Sequence, residues 1–291
     1  MANVYFTREI TPESVIRMYK ALGKELTGRV AVKVHSGEQG NQNFLRPAFL
    51  KPMVDYVGGT VVECNTAYGG ARNSTQKHKK LFKTHGWTEL FDVDLMDAEG
   101  PDVRFEIPNG KAIRENFVGK NLLHYDSMLV LSHFKGHPMG GFGGALKQLS
   151  IGCASSEGKA YIHSAGYTKD QSIVWDNCAE QDRFLEAMAD AAGSVVRHFS
   201  GNMAFVSVMC NLSVDCDCCE VAEDPCMQDI GILSSLDPVA LDTACMDRIY
   251  ASDDPGKEHF LARVNRQHGT YILDAAEAQG YGSKAYTLIE L

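Results

Sequence analysis

Short β-branched or unbroken apolar runs alternate along this chain with longer stretches whose apolar residues recur at helical spacing. Residues 29–35 (RVAVKVH) alternate and stop before Gly37, which predicts a strand. Residues 127–133 (SMLVLSH) form a short continuous apolar run, as expected of a strand buried in a parallel sheet. Further strands are expected over 60–64 and 203–210. Between them, Thr11 and Pro12 provide an N-cap and a first-turn proline ahead of Val15, Ile16, Tyr19 and Leu22. Helices are also expected over 47–56, 77–90, 144–152, 183–198, 238–250 and 257–268, with Asp237-Pro238 opening the helix at 238. Strands alternating with helices predict an α/β fold: a mainly parallel sheet with helices on both faces. No repeat, low-complexity run or Pro/Ser-rich linker interrupts the pattern, so residues 1–291 read as a single α/β domain.

Composition narrows the partners. With 28 Lys+Arg against 37 Asp+Glu the formal net charge is −9, which disfavours nucleic acid, whose binding depends on concentrated positive charge. The densest basic run, Lys77-His78-Lys79-Lys80, reads as a solvated helix face. The first ten residues lack an apolar signal core, and no apolar stretch reaches the roughly 18–20 residues of a membrane helix. A cytoplasmic location without a membrane partner is therefore expected.

That location bears on the nine cysteines. Their number is odd, and five fall in one stretch: Cys210, Cys216, Cys218, Cys219 and Cys226. In a reducing compartment such clustering favours thiolate ligation of a metal over disulfides. The spacing matches neither a paired C-x-x-C ribbon nor a ferredoxin run, so the ligand could be an iron–sulfur cluster or a single iron or zinc ion. In an extended segment Cys216 and Cys218 share a side and Cys219 points away. Cys216 and Cys218, joined by Cys210 or Cys226, are the preferred thiolates, and a turn would bring in Cys219. The neighbouring Asp215 and Asp217 are expected to raise a free thiol's pKa, which favours a metal-bound state over a bare reactive cysteine. The competing reading is a set of unligated, buried cysteines.

A second concentration of chemistry begins where the strand at 127–133 ends: His133-Phe-Lys-Gly-His-Pro-Met-Gly-Gly-Phe-Gly-Gly-Ala-Leu-Lys147. Ligands of open α/β sheets bind at the carboxyl ends of strands. The amides of Gly140, Gly141, Gly143 and Gly144, with the start of the following helix, could form an anion nest assisted by Lys147. His133, Lys135 and His137 are candidates for proton transfer, and the two histidines for completing a mixed metal site. Lys33 and Arg72, at two other strand-end turns, are candidates for holding the same anion. The plainer alternative is that the glycines only permit tight packing and the charged residues pair with acids.

The stretch from His133 to Ser155 (HFKGHPMGGFGGALKQLSIGCAS), the CDCC at 216–219 and residues 229–247 (DIGILSSLDPVALDTACMD) together resemble the family called domain of unknown function 362. The resemblance covers most of the chain and keeps the motif order. It implies an iron–sulfur or cluster-binding protein. Many members carry a ferredoxin-like insert with two four-cysteine runs, after the position matching residue 168; here only Cys178 lies there, so the resemblance is to an insert-free member. One cysteine cannot hold such a cluster. The function expected is metal or cluster binding, with redox chemistry on a small anionic molecule and a redox partner protein. A metal-independent isomerase or hydrolase acting on a carboxylate or phosphate ester, and a non-catalytic cluster carrier, are the alternatives.

Overall fold

A computed structural model describes residues 1–291. In chain order the elements are β1 (Ala2–Thr7), α1 (Pro12–Ala21), β2 (Val30–Lys33), α2 (Pro47–Val57), β3 (Thr60–Glu63), α3 (Thr75–Thr84), α4 (Trp87–Leu90), β4 (Val93–Leu95), β5 (Val103–Glu106) and β6 (Glu115–Val118). There follow β7 (Ser127–His133), β8 (Lys135–His137), β9 (Gly141–Gly143), α5 (Ala145–Ser150), α6 (Ser156–His163), α7 (Gln181–Phe199) and β10 (Met203–Met209). The last are β11 (Gly231–Ser235), α8 (Pro238–Tyr250), α9 (Lys257–Arg266), α10 (Tyr271–Ala278) and β12 (Tyr286–Glu290).

Eight strands form one sheet in the order β12-β1-β11-β10-β7-β2-β3-β4. All neighbours are parallel except β11, which runs against both β1 and β10. The fold is therefore α/β, as the alternation predicts. Side chains alternate across the sheet, and two apolar clusters result. Met128 and Val130 of β7 join the larger one with α5, α7, α8 and α10. Leu129 and Leu131 join the smaller one with α1, α2 and α4. Full burial of all seven β7 residues matches its unbroken apolar run. No helix is long and apolar enough to cross a membrane.

The caps form as expected. Thr11 accepts from the Ser14 amide at 3.1 Å, and Asp237 accepts from Val239 and Ala240 at 2.8 and 3.0 Å. The helix expected over 77–90 is instead two, α3 and α4, broken at His85-Gly86, where Gly86 has φ +78°. Strands β1, β4, β11 and β12 carry no sequence expectation. In β11 the reason is chemical: Ser234 and Ser235 are buried, but donate to the Met18 and Asn3 carbonyls at 2.8 and 2.9 Å, so an internal strand lacks an apolar signature.

The strand order places the site. From β2 the chain steps outward to β3 and β4, then returns to the other side of β2 for β7 and β10. The carboxyl ends of β2 and β7 thus flank a topological switch point, where a crevice opens in such sheets.

Candidate functional site

Three turns meet at this crevice: the one after β2, the one after β3, and the β8–β9 hairpin after β7. The cysteine-rich segment lies across them. Asn41 Nδ2 donates to the carbonyls of Cys216 and Cys219 at 3.3 and 2.9 Å, and the Tyr68 hydroxyl donates to that of Cys218 at 3.1 Å. The Glu38 amide donates to the Asp217 carbonyl at 2.8 Å. The segment is a turn here, with the Cys219 amide bonded to the Cys216 carbonyl at 2.9 Å.

That turn brings together a set of metal-type donors. One ligand atom from each of His137, Cys216 and Cys218 lies within 4.8 Å of the others. Cys218 Sγ is 3.9 Å from His137 Nε2, and the Cys218 amide donates to Cys216 Sγ at 3.4 Å. Lys147 Nζ approaches Cys216 Sγ at 3.5 Å. Burial alone would push the Cys216 thiol up, but the hydrogen bond from Cys218 and the charges of Lys147, Lys135 and His137 hold it well below its ordinary value. Cys218 is pushed up because it donates to Cys216. The surroundings therefore favour the thiolate form at Cys216 and the thiol form at Cys218. The expectation that Asp215 and Asp217 would raise the thiols fails at Cys216, because Asp215 is paired with Arg263 at 2.9 Å and Asp217 with His133 and Lys135; at Cys219 Asp215 does act upward, but the hydrogen bond from Cys218 outweighs it.

Beside the sulfurs opens a cavity of about 460 Å³, lined among others by His35, Arg72, His137, Lys147, Cys218 and Cys219. Its size is within the range of small-molecule sites, roughly 300–1,000 Å³.

The other predicted residues divide sharply. His133 Nδ1 faces Asp217 at 2.9 Å and Nε2 faces the Cys210 carbonyl at 2.6 Å, so both ring nitrogens are occupied. Burial opposes its charge, yet the Asp217 carboxylate and these hydrogen bonds lift its pKa to about 10. Lys135 Nζ binds the same carboxylate at 2.7 Å. These two residues form a closed buried ion cluster, and neither lines the cavity. Only His137 of the proposed proton-transfer trio does. Its Nδ1 accepts the amides of Met139 and Gly140 at 3.2 and 2.9 Å, which leaves Nε2 directed to the sulfurs.

The glycine turn holds a carboxyl group, but an internal one, pushed up by burial to about 7 against the pull of its amide hydrogen bonds. Asp242, on α8, accepts the amides of Ala145 and Leu146 at 2.8 and 2.9 Å and occupies the start of α5. A Cβ at Gly144 would come within 2.3 Å of Asp242 Oδ1, so that approach requires glycine. Gly141 has φ +80° and packs against Gly269, Gly143 lies in β9, and the Gly140 amide is spent on His137. An anion nest for an external ligand, drawn from Gly140, Gly141, Gly143 and Gly144, is therefore replaced by this carboxylate.

Lys33 Nζ is engaged by Glu63 at 2.8 Å and by Gln148 Oε1 at 3.1 Å. Arg72 donates from Nε to Glu38 at 3.1 Å and from Nη2 to the Tyr68 hydroxyl at 2.6 Å, with Glu63 at 3.7 Å from Nη1. Both cations are neutralised within the protein rather than offered to a ligand. Cys219 lines the cavity and is partly exposed. Cys210 and Cys226 fall outside the metal-type group: Cys210 gives its carbonyl to His133, and Cys226 Sγ donates to the Leu212 carbonyl at 3.3 Å. Four thiolates do not converge, which a four-cysteine cluster would need.

Sequence reasoning passed over Glu63, Lys159 and His163, which also line the cavity. Glu63 looks like the polar end of an ordinary strand. Lys159 and His163 stand four residues apart on α6, one face of a helix that follows the motif closely, and that spacing is the available signal.

Sheet, switch-point crevice and sulfur–imidazole group define an α/β protein with a site able to hold a metal. The chain belongs to the family described as "Domain of unknown function (DUF362)", whose sequence pattern matches residues 30–247. Similar solved structures include the lactate racemase apoprotein from Thermoanaerobacterium thermosaccharolyticum, with 13% identity, TM-score 0.41, and coverage of 70% of this chain and 50% of that one. Another is a protein from Thermotoga maritima, with 8% identity, TM-score 0.41, and coverage of 92% and 58%. The chain thus spans only 50% and 58% of the lengths of these two. No curated protein matches it in sequence.

Proposed function

We propose that the protein binds a single soft divalent metal ion through Cys216, Cys218 and His137, and that this centre acts on a small anionic molecule in the adjoining cavity. The observation that carries the reading is the convergence of two sulfurs and an imidazole nitrogen within 4.8 Å at the cavity wall. Two thiolates and one imidazole suit zinc or iron and leave a tetrahedral position open, the pattern of a catalytic rather than a structural ion. Such an ion supplies a Lewis acid when bound. The protein's own part is to hold the ligands: Asn41 and Tyr68 fix the loop carrying the sulfurs, and Lys147 offsets their negative charge.

His137 sets a condition. With Nδ1 accepting two amides, its proton sits on Nε2, facing the sulfurs. Ligation through Nε2 requires that proton to move to Nδ1, giving up the two amide hydrogen bonds, while the sulfurs bind as thiolates and release any proton they carry, so affinity rises with pH. Equilibrium dialysis of reduced protein against zinc, followed by metal analysis, tests the reading. One ion per chain is expected, and none in a Cys216→Ser/Cys218→Ser variant; equal retention by both proteins would overturn it.

The same Nε2 proton favours a second reading, in which no metal binds and the Nε2–H and Lys147 stabilise Cys216 as a thiolate for nucleophilic chemistry. Cys216 itself is fully buried, while Cys218 reaches the cavity, which places the metal reading first.

A further inference from the structure

One wall of the cavity takes no part in the sulfur centre. It is built from Gln148 on α5 and from Lys159 and His163 on α6, each more than nine-tenths buried. Gln148 Oε1 accepts from Lys33, which leaves Nε2 a buried donor without a partner. His163 Nδ1 is likewise buried and unpartnered, with its ring stacked on Phe184 at 4.7 Å. Lys159 Nζ bonds only the Ala154 carbonyl, at 2.6 Å. Its neighbouring acids are engaged elsewhere: Asp97 by the amides of Asn65 and Ser156, and Glu63 by Lys33 and Ser36. Buried polar groups in folded proteins almost always find partners, so an amide and an imidazole without partners, in residues that line one cavity beside a lysine with no counter-ion, mark the place of a ligand. Much of the remaining wall is apolar, from Ala67, Met139, Ile151 and Trp175.

We propose that this cavity binds a small organic carboxylate with an apolar body, the carboxylate held by Lys159 Nζ and Gln148 Nε2 beside His163, the body against Met139, Ile151 and Trp175. The inference rests on the cavity being the substrate's place, and it stands whether or not a metal binds. A phosphate fits less well. Phosphate sites gather main-chain amides or a free guanidinium, and here the amides of Ala145 and Leu146 are taken by Asp242 while Arg72 is held by Glu38 and Tyr68.

Isothermal titration with acetate, hexanoate and benzoate tests this, with benzyl alcohol and inorganic phosphate as controls. Saturable binding that strengthens from acetate to the larger carboxylates is expected, and neither control should compete. Lys159→Met should weaken the best carboxylate about tenfold or more, the loss of one charge-assisted hydrogen bond. Trp175→Ala, at the partly exposed rim, should weaken hexanoate and benzoate while leaving acetate unchanged, and it keeps the test open should Lys159→Met fold poorly. Wild-type protein stripped of metal by a chelator should bind carboxylate as the zinc-loaded protein does, which separates failure of the metal reading from failure of this one. Absence of saturable binding across the series, phosphate competing as well as benzoate, or unchanged affinity in both Lys159→Met and Trp175→Ala would overturn the proposal.

Discussion

Beyond the end of β7, Asp217 receives His133 and Lys135, and every ring nitrogen of His133 has a partner. Around the cavity, Lys159 has no counter-ion, Gln148 and His163 each keep an unpartnered polar atom, and Cys216 Sγ faces Lys147. Both groups are buried, both carry histidine and lysine, and both sit at one edge of one sheet. The first is closed within the protein and holds the strand end to the cysteine loop. The second is open and faces the space a ligand would fill. Residue type does not separate them; completeness of hydrogen bonding does.

The comparison breaks most visibly at Asp217. Replacing it with alanine leaves two buried cations unpaired, and unfolding by denaturant should show a loss of about 3–5 kcal/mol. Asp242→Ala strands the buried amides of Ala145 and Leu146 and should cost about 1–3 kcal/mol in the same measurement. A third effect appears with pH. The His133 pKa rises from 6.5 to about 10 on folding, so its stabilisation is complete below about 6.5 and fades as pH climbs through 10. Asp217 is held below its ordinary 3.8, so its share is lost only under strong acid. The stability difference between wild type and Asp217→Asn should therefore shrink between pH 7 and 10. The smallest change belongs to the open group. Lys159→Met removes a buried ammonium without a counter-ion, and stability should shift by no more than about 1 kcal/mol in either direction. A loss as large as that at Asp217 would show Lys159 to be structural and erase the distinction.

Much of the fold and part of the site are legible in the amino-acid sequence. The unbroken run of β7 and the alternation in β2 mark parallel strands, and the capping chemistry of Thr11 and Asp237 marks two helix starts. The CDCC and HFKGH motifs point to the right edge of the sheet. Pairing across distance is what a linear pattern does not carry. Asp217 neighbours Cys216 in sequence, which suggests a raised thiol, yet its charge is spent on His133 and Lys135, each more than eighty residues away. Asp242 sits 98 residues beyond Gly144 and fills the nest that the glycines create. The buried serines of β11 show the same limit for the fold, since a polar internal strand is settled by partners elsewhere in the chain, whereas the break at Gly86 is a local glycine signal.

The central claim is that Cys216 and Cys218 form one open centre while the remaining thiols do not take part. Iodoacetamide labelling of the reduced protein, read residue by residue by mass spectrometry with and without zinc, tests it directly. The account predicts that zinc suppresses labelling at the partly exposed Cys218 and leaves the exposed Cys178 and the outlying Cys226 unchanged. Labelling at Cys218 that is indifferent to zinc would contradict it.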